Sequence, residues 1–158
     1  MNLMTTNLSD VQNLIASWWF DYDQGNFDVW PNYFTEDAHF SCRSDSKATS
    51  FEEFVTAEAN GRDAVVAWNI EHRKQSPYPL RHNGTNVHVI AGDRESCTFR
   101  SYIFVTQIVG ASVAPLASGI CLGSSRHEND RWKLADLRLM LDFADSGVFS
   151  AATQYVFE

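Results

Sequence analysis

The 158-residue chain has no apolar run approaching the roughly 18 residues a membrane-spanning helix needs, so no transmembrane segment is expected. Basic residues are scarce: 12 Lys and Arg stand against 20 Asp and Glu, for a net charge of -8. A nucleic-acid binder needs a basic face to displace counterions from phosphates. An anionic membrane surface attracts the same kind of face. Neither partner is expected, and the acidic balance reads as solubility. Cysteine is limited to Cys42, Cys97 and Cys121, with no C-x-x-C spacing. An odd count without a framework pattern points to reduced thiols and a cytoplasmic location. The first ten residues, MNLMTTNLSD, lack a basic region followed by an apolar run, so no signal peptide is expected.

Motifs that hold phosphates or metals are also missing. There is no G-x-S-x-G, no P-loop and no G-x-G-x-x-G. His39, His72, His88 and His127 show no H-x-H, H-x-x-x-H or H-E-x-x-H spacing. The expectation is therefore no metal and no cofactor. Each cysteine falls in a β-type run, which suits inert burial better than a nucleophile.

What the chain does have is apolar and aromatic material: 44% hydrophobic residues, with eleven Phe, five Trp and five Tyr. That is enough for a core and for the walls of a pocket. No repeat, low-complexity tract or change of composition divides it, so a single domain over 1–158 is expected.

The segment SDVQNLIASWWFDYDQGN predicts a helix. Ser9 and Gln12 have the capping-box spacing. Val11, Leu14, Ile15, Trp18, Trp19 and Tyr22 follow the i, i+3, i+4, i+7 rule, and Gly25 marks the stop. FDVWPNYF predicts a short helical turn with Pro31 close to its start, and AHFSC a short strand. SFEEFVTAEA, opened by Ser50 and Glu53, predicts a second helix, and DAVVAWNIEHRK a third. Pro77 and Pro79 mark a loop. Four β-type runs follow: HNGTNVHVIA, SCTFRSYIFVTQIV, SVAPLASGICLGSSRH and RWKLADLRLMLDF. Gly92-Asp93, Gly110 and Asn129-Asp130 punctuate them. Helices first and long antiparallel strands after define an α+β pattern. A long sheet bent around the first helix leaves room for a small molecule.

One constellation carries chemistry. On the wheel of the first helix Tyr22 sits in the middle of the apolar stripe, with Asp21 and Asp23 at its two edges, roughly 80–100° away. Either carboxylate can be half-buried beside Trp and Tyr, and it must then find a hydrogen-bond donor. His82, opening a β-type run, is a suitable one. A carboxylate fixes the imidazole tautomer and stabilises the imidazolium once a proton arrives. That is the physics of a general-base dyad. A histidine at the start of a strand can equally be a satisfied core residue, and Asp-Tyr-Asp an ordinary helix end. Periodicity does not choose between Asp21 and Asp23.

Together DYDQGNFDVWPNYFTEDAHF, LRHNGTNVHV and RWKLADLRLMLDF resemble the SnoaL-like branch of the nuclear-transport-factor-two-like, or cystatin-like, superfamily, from about Ser9 to Phe143. The resemblance implies an α+β cone: a strongly curved, mixed but mainly antiparallel sheet wrapped around N-terminal helices, with an internal apolar pocket. It implies a homo-oligomer, dimer or trimer.

Within that superfamily the scytalone dehydratase family ends its first helix in Tyr-Asp, similar to Tyr22-Asp23. The hexachlorocyclohexane dehydrochlorinase family has Asp at that place and a His followed by Gly-Thr-Asn, similar to His82 and the NGTN after it. In both, the His removes a proton and the Asp orients it. The resemblance thus selects Asp23 over Asp21.

The departures lie at Cys42, Thr106, Gly119 and Cys121, where the scytalone enzyme has its other pocket residues, so scytalone itself is not the expected substrate. Arg126 resembles an anion-contacting arginine of the dehydrochlorinase. The small β subunits of aromatic-ring-hydroxylating dioxygenases share FDVWPNYFTEDAHF-like and Arg-His features without being catalytic.

The leading expectation is a cofactor-free lyase or isomerase acting on a hydrophobic cyclic small molecule. His82 would be the base, Asp23 its orienter and Tyr22 a hydrogen-bond donor to substrate oxygen. Trp18, Trp19, Phe40 and Arg126 would contact substrate. The alternative is a non-catalytic β subunit or a ligand-binding module of the same fold.

Overall fold

The first helix, α1 (Leu8–Gln24), buries Val11, Leu14, Ile15, Trp18, Trp19, Tyr22 and Asp23 along one stripe, the spacing of an amphipathic helix. Its end is specified locally. Gly25 takes φ +69°, its N–H donates to the Tyr22 carbonyl, and the Asn26 N–H donates to the Asp21 carbonyl, both at 3.0 Å. This is the Schellman arrangement, which needs a left-handed residue just past the helix. Ser9 lies inside the first turn of α1, not ahead of it.

The computed structural model describes residues 8–44 and 57–142. After α1 come a 3-10 helix (Phe27–Tyr33), β1 (Phe34–Ser44), β2 (Ala57–Asn60), α2 (Arg62–Gln75), β3 (Leu80–Gly92), β4 (Ser96–Val109), β5 (Ser112–Glu128) and β6 (Arg131–Leu141).

Three local expectations change. Pro31 is the fifth of seven residues of the 3-10 helix, not near its start. The strand expected over AHFSC begins earlier, at Phe34. The end of the expected helix SFEEFVTAEA is strand β2, drawn into the sheet by pairing with β1 from His39↔Asn60 to Cys42↔Ala57; the part of that helix before Ala57 lies outside the described residues.

The six strands form one sheet in the order β2-β1-β6-β5-β4-β3. β3 to β6 are joined antiparallel, and β1 lies parallel to β6, so the sheet is mixed. On β4 burial alternates strictly: Cys97, Phe99, Ser101, Ile103, Val105 and Gln107 point inward, the period of a strand with one covered face. Asn129 and Asp130 both take left-handed φ, 54° and 60°. Together they make the tight loop joining Glu128 to Arg131, as short polar side chains allow.

Curvature has identifiable sources. Register shifts interrupt the ladders at Thr85/His88, Val105/Thr106 and Ser124/Ser125, and such bulges bend and twist strands. Gly123 lets the sheet fold over its own core: a Cβ there would stand 2.5 Å from the Phe99 ring and 2.6 Å from the Asp136 carbonyl. The two helices lie against the inner face, α1 on β3 and α2 on β1. This is an α+β cone, and the open end of α1 is carried to the first residues of β3.

Candidate active site

At the end of α1 the two carboxylates part. Asp21 turns outward, where it accepts hydrogen bonds from Asn26 (2.7 Å) and from the Tyr33 hydroxyl. It borders a surface groove of about 540 Å³ that also involves Asp10, Ser17 and Trp132. Asp23 turns inward and is 3% exposed. Its Oδ1 lies 2.6 Å from His82 Nδ1, and its Oδ2 accepts the His82 backbone N–H at 2.7 Å. One carboxylate thus grips both the ring and the main chain of His82. In a neutral imidazole this contact puts the proton on Nδ1 and leaves the lone pair on Nε2.

The ring is held from its sides as well. Trp19 stacks on His82 with centroids 4.6 Å apart and planes 5° from parallel, and Tyr22 meets it edge-on at 4.9 Å. Trp19 can lie flat on β3 because residue 84 is glycine: a Cβ there would approach the indole to 3.0 Å.

Behind the dyad, α2 contributes two residues that the sequence reading passed over. Arg73 is buried. Its Nε donates to the Tyr22 carbonyl at 3.0 Å and its Nη2 to the Asp23 carbonyl at 2.6 Å. A cation on the last carbonyls of a helix satisfies groups with no helical partner and matches the negative end of the dipole. The other residue is His72, whose Nδ1 is hydrogen-bonded to the Tyr22 hydroxyl. Its ring stacks on Trp68 at 4.9 Å, and Trp68 packs against Phe40 at 5.0 Å.

Burial above all pushes the His72 pKa down from 6.5 to about 4, and the nearby Arg73 guanidinium adds to the effect. Burial holds the Tyr22 hydroxyl well above the usual tyrosine range. Both groups are therefore neutral near pH 7, and the bond between them is O–H donating to Nδ1, with the ring proton on Nε2. A sequence signal for both residues existed. Val65, Val66, Asn69, His72 and Arg73 fall at i, i+1, i+4, i+7 and i+8, the inward stripe of a helix.

The remaining expected site residues divide. Trp19 and Phe40 border the cluster. Trp18 stands one layer back, edge-on to Trp30, Tyr33 and Phe34, and braces the helix end. Tyr22 does not present its hydroxyl directly, because a buried O–H needs an acceptor and His72 provides it. Arg126 is not at the dyad. It forms an ion pair with Asp37 and a 3.1 Å contact with Glu128 on the exposed end of β5, across from Ser96 rather than from the residues that face His82.

Cys42 and Cys121 are buried on the inner face with thiols pushed up to about 12 by burial, so they are not thiolates at neutral pH. Gly119 packs against the β6 backbone. No group of three or more potential metal ligands occurs among the described residues. Nor does any described helix have the length and apolarity to cross a membrane.

The curved mixed sheet wrapped around the helices defines a class: the cystatin-like α+β cones. The chain belongs to the SnoaL-like domain family, whose model matches residues 5–138. Solved structures agree on the fold. A cystatin-like protein of unknown function from Nostoc punctiforme has a TM-score of 0.71 at 16% identity, over 91% of this chain and 97% of that one. A candidate scytalone dehydratase from Novosphingobium aromaticivorans has a TM-score of 0.68 at 14% identity, over 86% and 84%. The β subunit of benzoate 1,2-dioxygenase from Burkholderia mallei has a TM-score of 0.66 at 18% identity, over 90% and 93%. No curated protein matches the chain.

The depressed His72 pKa has a thermodynamic consequence. The unfolded chain binds a proton at His72 near pH 6.5, while the folded chain resists it until about pH 4. Stability should therefore fall as pH drops through that window, by about 3 kcal/mol from this residue when the window is fully crossed. Urea unfolding at pH 7, 5.5 and 4 checks this: His72→Gln should flatten the dependence, and an unchanged slope would contradict it.

Proposed function

We propose that this protein is a cofactor-free lyase or isomerase of the dehydratase type, acting on a hydrophobic cyclic small molecule through His82 and Asp23. The observation that carries the reading is the double grip of Asp23 on the ring and backbone of His82, inside an aromatic wall of Trp19 and Tyr22. Nε2 is the basic nitrogen.

A substrate C–H bond breaks, its proton goes to Nε2, and its electron pair forms a C=C bond. In elimination the leaving group departs with its own bonding pair; in isomerisation the proton returns to a different carbon. Asp23 stabilises the imidazolium formed. Proton transfer by a placed base contributes roughly 10²–10⁴-fold. The buried, unpaired thiols suit a reducing cytoplasm.

A second reading is a non-catalytic β subunit, supported by the fold likeness to the benzoate dioxygenase subunit. Under that reading the chain would copurify with a larger iron-carrying partner.

His82→Gln separates the two. Gln can still donate to Asp23, so stability should change by no more than roughly 1–2 kcal/mol. Turnover over a panel of cyclic hydroxy-ketones and halides should fall by roughly 10²-fold or more. A variant that is destabilised yet fully active would rule out the catalytic role.

Assembly belongs to the same proposal. The outer sheet face leaves Tyr102, Phe104, Ile108 and Val113 exposed, an apolar surface that suits a homo-oligomer, dimer or trimer. Light scattering should give a multiple of 17.9 kDa; a clean monomer would contradict it.

A further inference from the structure

Among the described residues the buried charged side chains are Asp23 and Arg73, 3% and 7% exposed. A charge taken out of water must be offset by another charge or change its protonation state. The partners of the Arg73 guanidinium are neutral: the Tyr22 and Asp23 carbonyls, and the ring of Tyr78, whose centroid is 5.4 Å away. The buried anion beside it is Asp23.

The place of attachment matters. A guanidinium forked onto a carboxylate takes both of its oxygens. Arg73 instead holds Asp23 by the main-chain carbonyl, and the two carboxylate oxygens go to the backbone and ring of His82. The carboxylate thus has a countercharge that does not compete for the lone pairs the imidazole needs.

We propose that Arg73 is a positioning residue of the dyad: it offsets the charge of Asp23 from the backbone side and so favours the unprotonated, basic form of His82. The inference rests on the His82–Asp23 reading and adds a third member to it. The sign follows from charge. With Arg73 in place and His82 neutral, Asp23 and Arg73 balance, and a proton on His82 leaves a net positive charge. Without Arg73 and with His82 neutral, a buried anion stands alone, and a proton on His82 cancels it. Removing Arg73 therefore favours the imidazolium, the form that cannot act as a base. The other titratable groups around the pair are Tyr22 on α1, His72 on α2 and Cys42 on β1. Burial keeps the Tyr22 hydroxyl and the Cys42 thiol protonated at neutral pH, and His72 takes a proton only near pH 4.

The test is a pH titration of the His82 ring nitrogens in the full chain by nitrogen-15 NMR. Arg73→Gln keeps N–H donors for the carbonyls and removes the charge; Arg73→Lys keeps the charge. The pH at which half of the His82 rings carry a proton on Nε2 should rise by about one unit or more in Arg73→Gln and stay close to the wild-type value in Arg73→Lys. A merely structural role would lower the melting temperature without moving this midpoint. If Arg73→Gln does not fold, adding Asp23→Asn should restore folding, since no lone buried charge is then left.

An unmoved midpoint in folded Arg73→Gln overturns the inference. So does a shift in Arg73→Lys as large as that in Arg73→Gln, and so does a double variant that stays unfolded. Asp23→Asn tests the underlying dyad separately: without the carboxylate the imidazolium loses its anion, and the midpoint should fall. If it does not fall, the His82–Asp23 reading fails. A lowered midpoint in Asp23→Asn beside an unmoved one in Arg73→Gln leaves the dyad standing and removes Arg73 from it.

Discussion

The contact on which the rest depends is the carboxylate of Asp23 against β3. One oxygen takes the His82 backbone N–H and the other faces its ring nitrogen, so a single side chain fixes where the strand starts and how its imidazole is turned. A buried carboxylate is costly to desolvate unless its lone pairs are met, and here donors from strand and ring meet both oxygens. The helix end that carries Asp23 is itself fixed twice, by the Gly25–Asn26 turn and by Arg73 on the Tyr22 and Asp23 carbonyls. Three elements distant in sequence thus converge on two residues. The position of the imidazole is a consequence of how α1 stops.

The same convergence differentiates the two histidines. His82 sits against an anion and an indole face; His72 sits against a phenol and a second indole. The Nδ1 of His82 meets a carboxylate and the Nδ1 of His72 a phenol. Which tautomer each imidazole takes follows from the hydrogen-bonding group its neighbour supplies.

Much of the architecture was legible in the sequence. The apolar stripe of α1, its glycine stop, and the alternating runs of β3 to β6 were strong periodic signals, and turn chemistry at Asn129-Asp130 marked the last hairpin. The parallel pairing of β1 with β6 was not legible, because register between strands 97 residues apart, as at His39 and Asp136, leaves no local mark. Residues 57–60 read as helix because their composition favours it, and sheet pairing overrode that preference.

At the site, the wheel could not choose between Asp21 and Asp23, since both edges of the stripe are equivalent until the sheet arrives. Family resemblance chose Asp23, and that residue is the one turned inward. Arg126 lies away from the dyad because strand register decides which end of a long β5 comes near it. His72 and Arg73 were missed although their helical spacing marked a buried stripe; a polar residue on such a stripe needs a partner, and that requirement alone would have raised the question.

The central claim is that Asp23 fixes His82 with its proton on Nδ1 and a basic Nε2. Nitrogen-15 NMR of the imidazole side chains at neutral pH tests it most directly. The account predicts a His82 ring with a hydrogen-bonded, downfield Nδ1 proton and an unprotonated Nε2, and loss of that proton signal in Asp23→Asn. A His82 ring protonated on Nε2 alone, or a downfield proton that persists without the carboxylate, would contradict it.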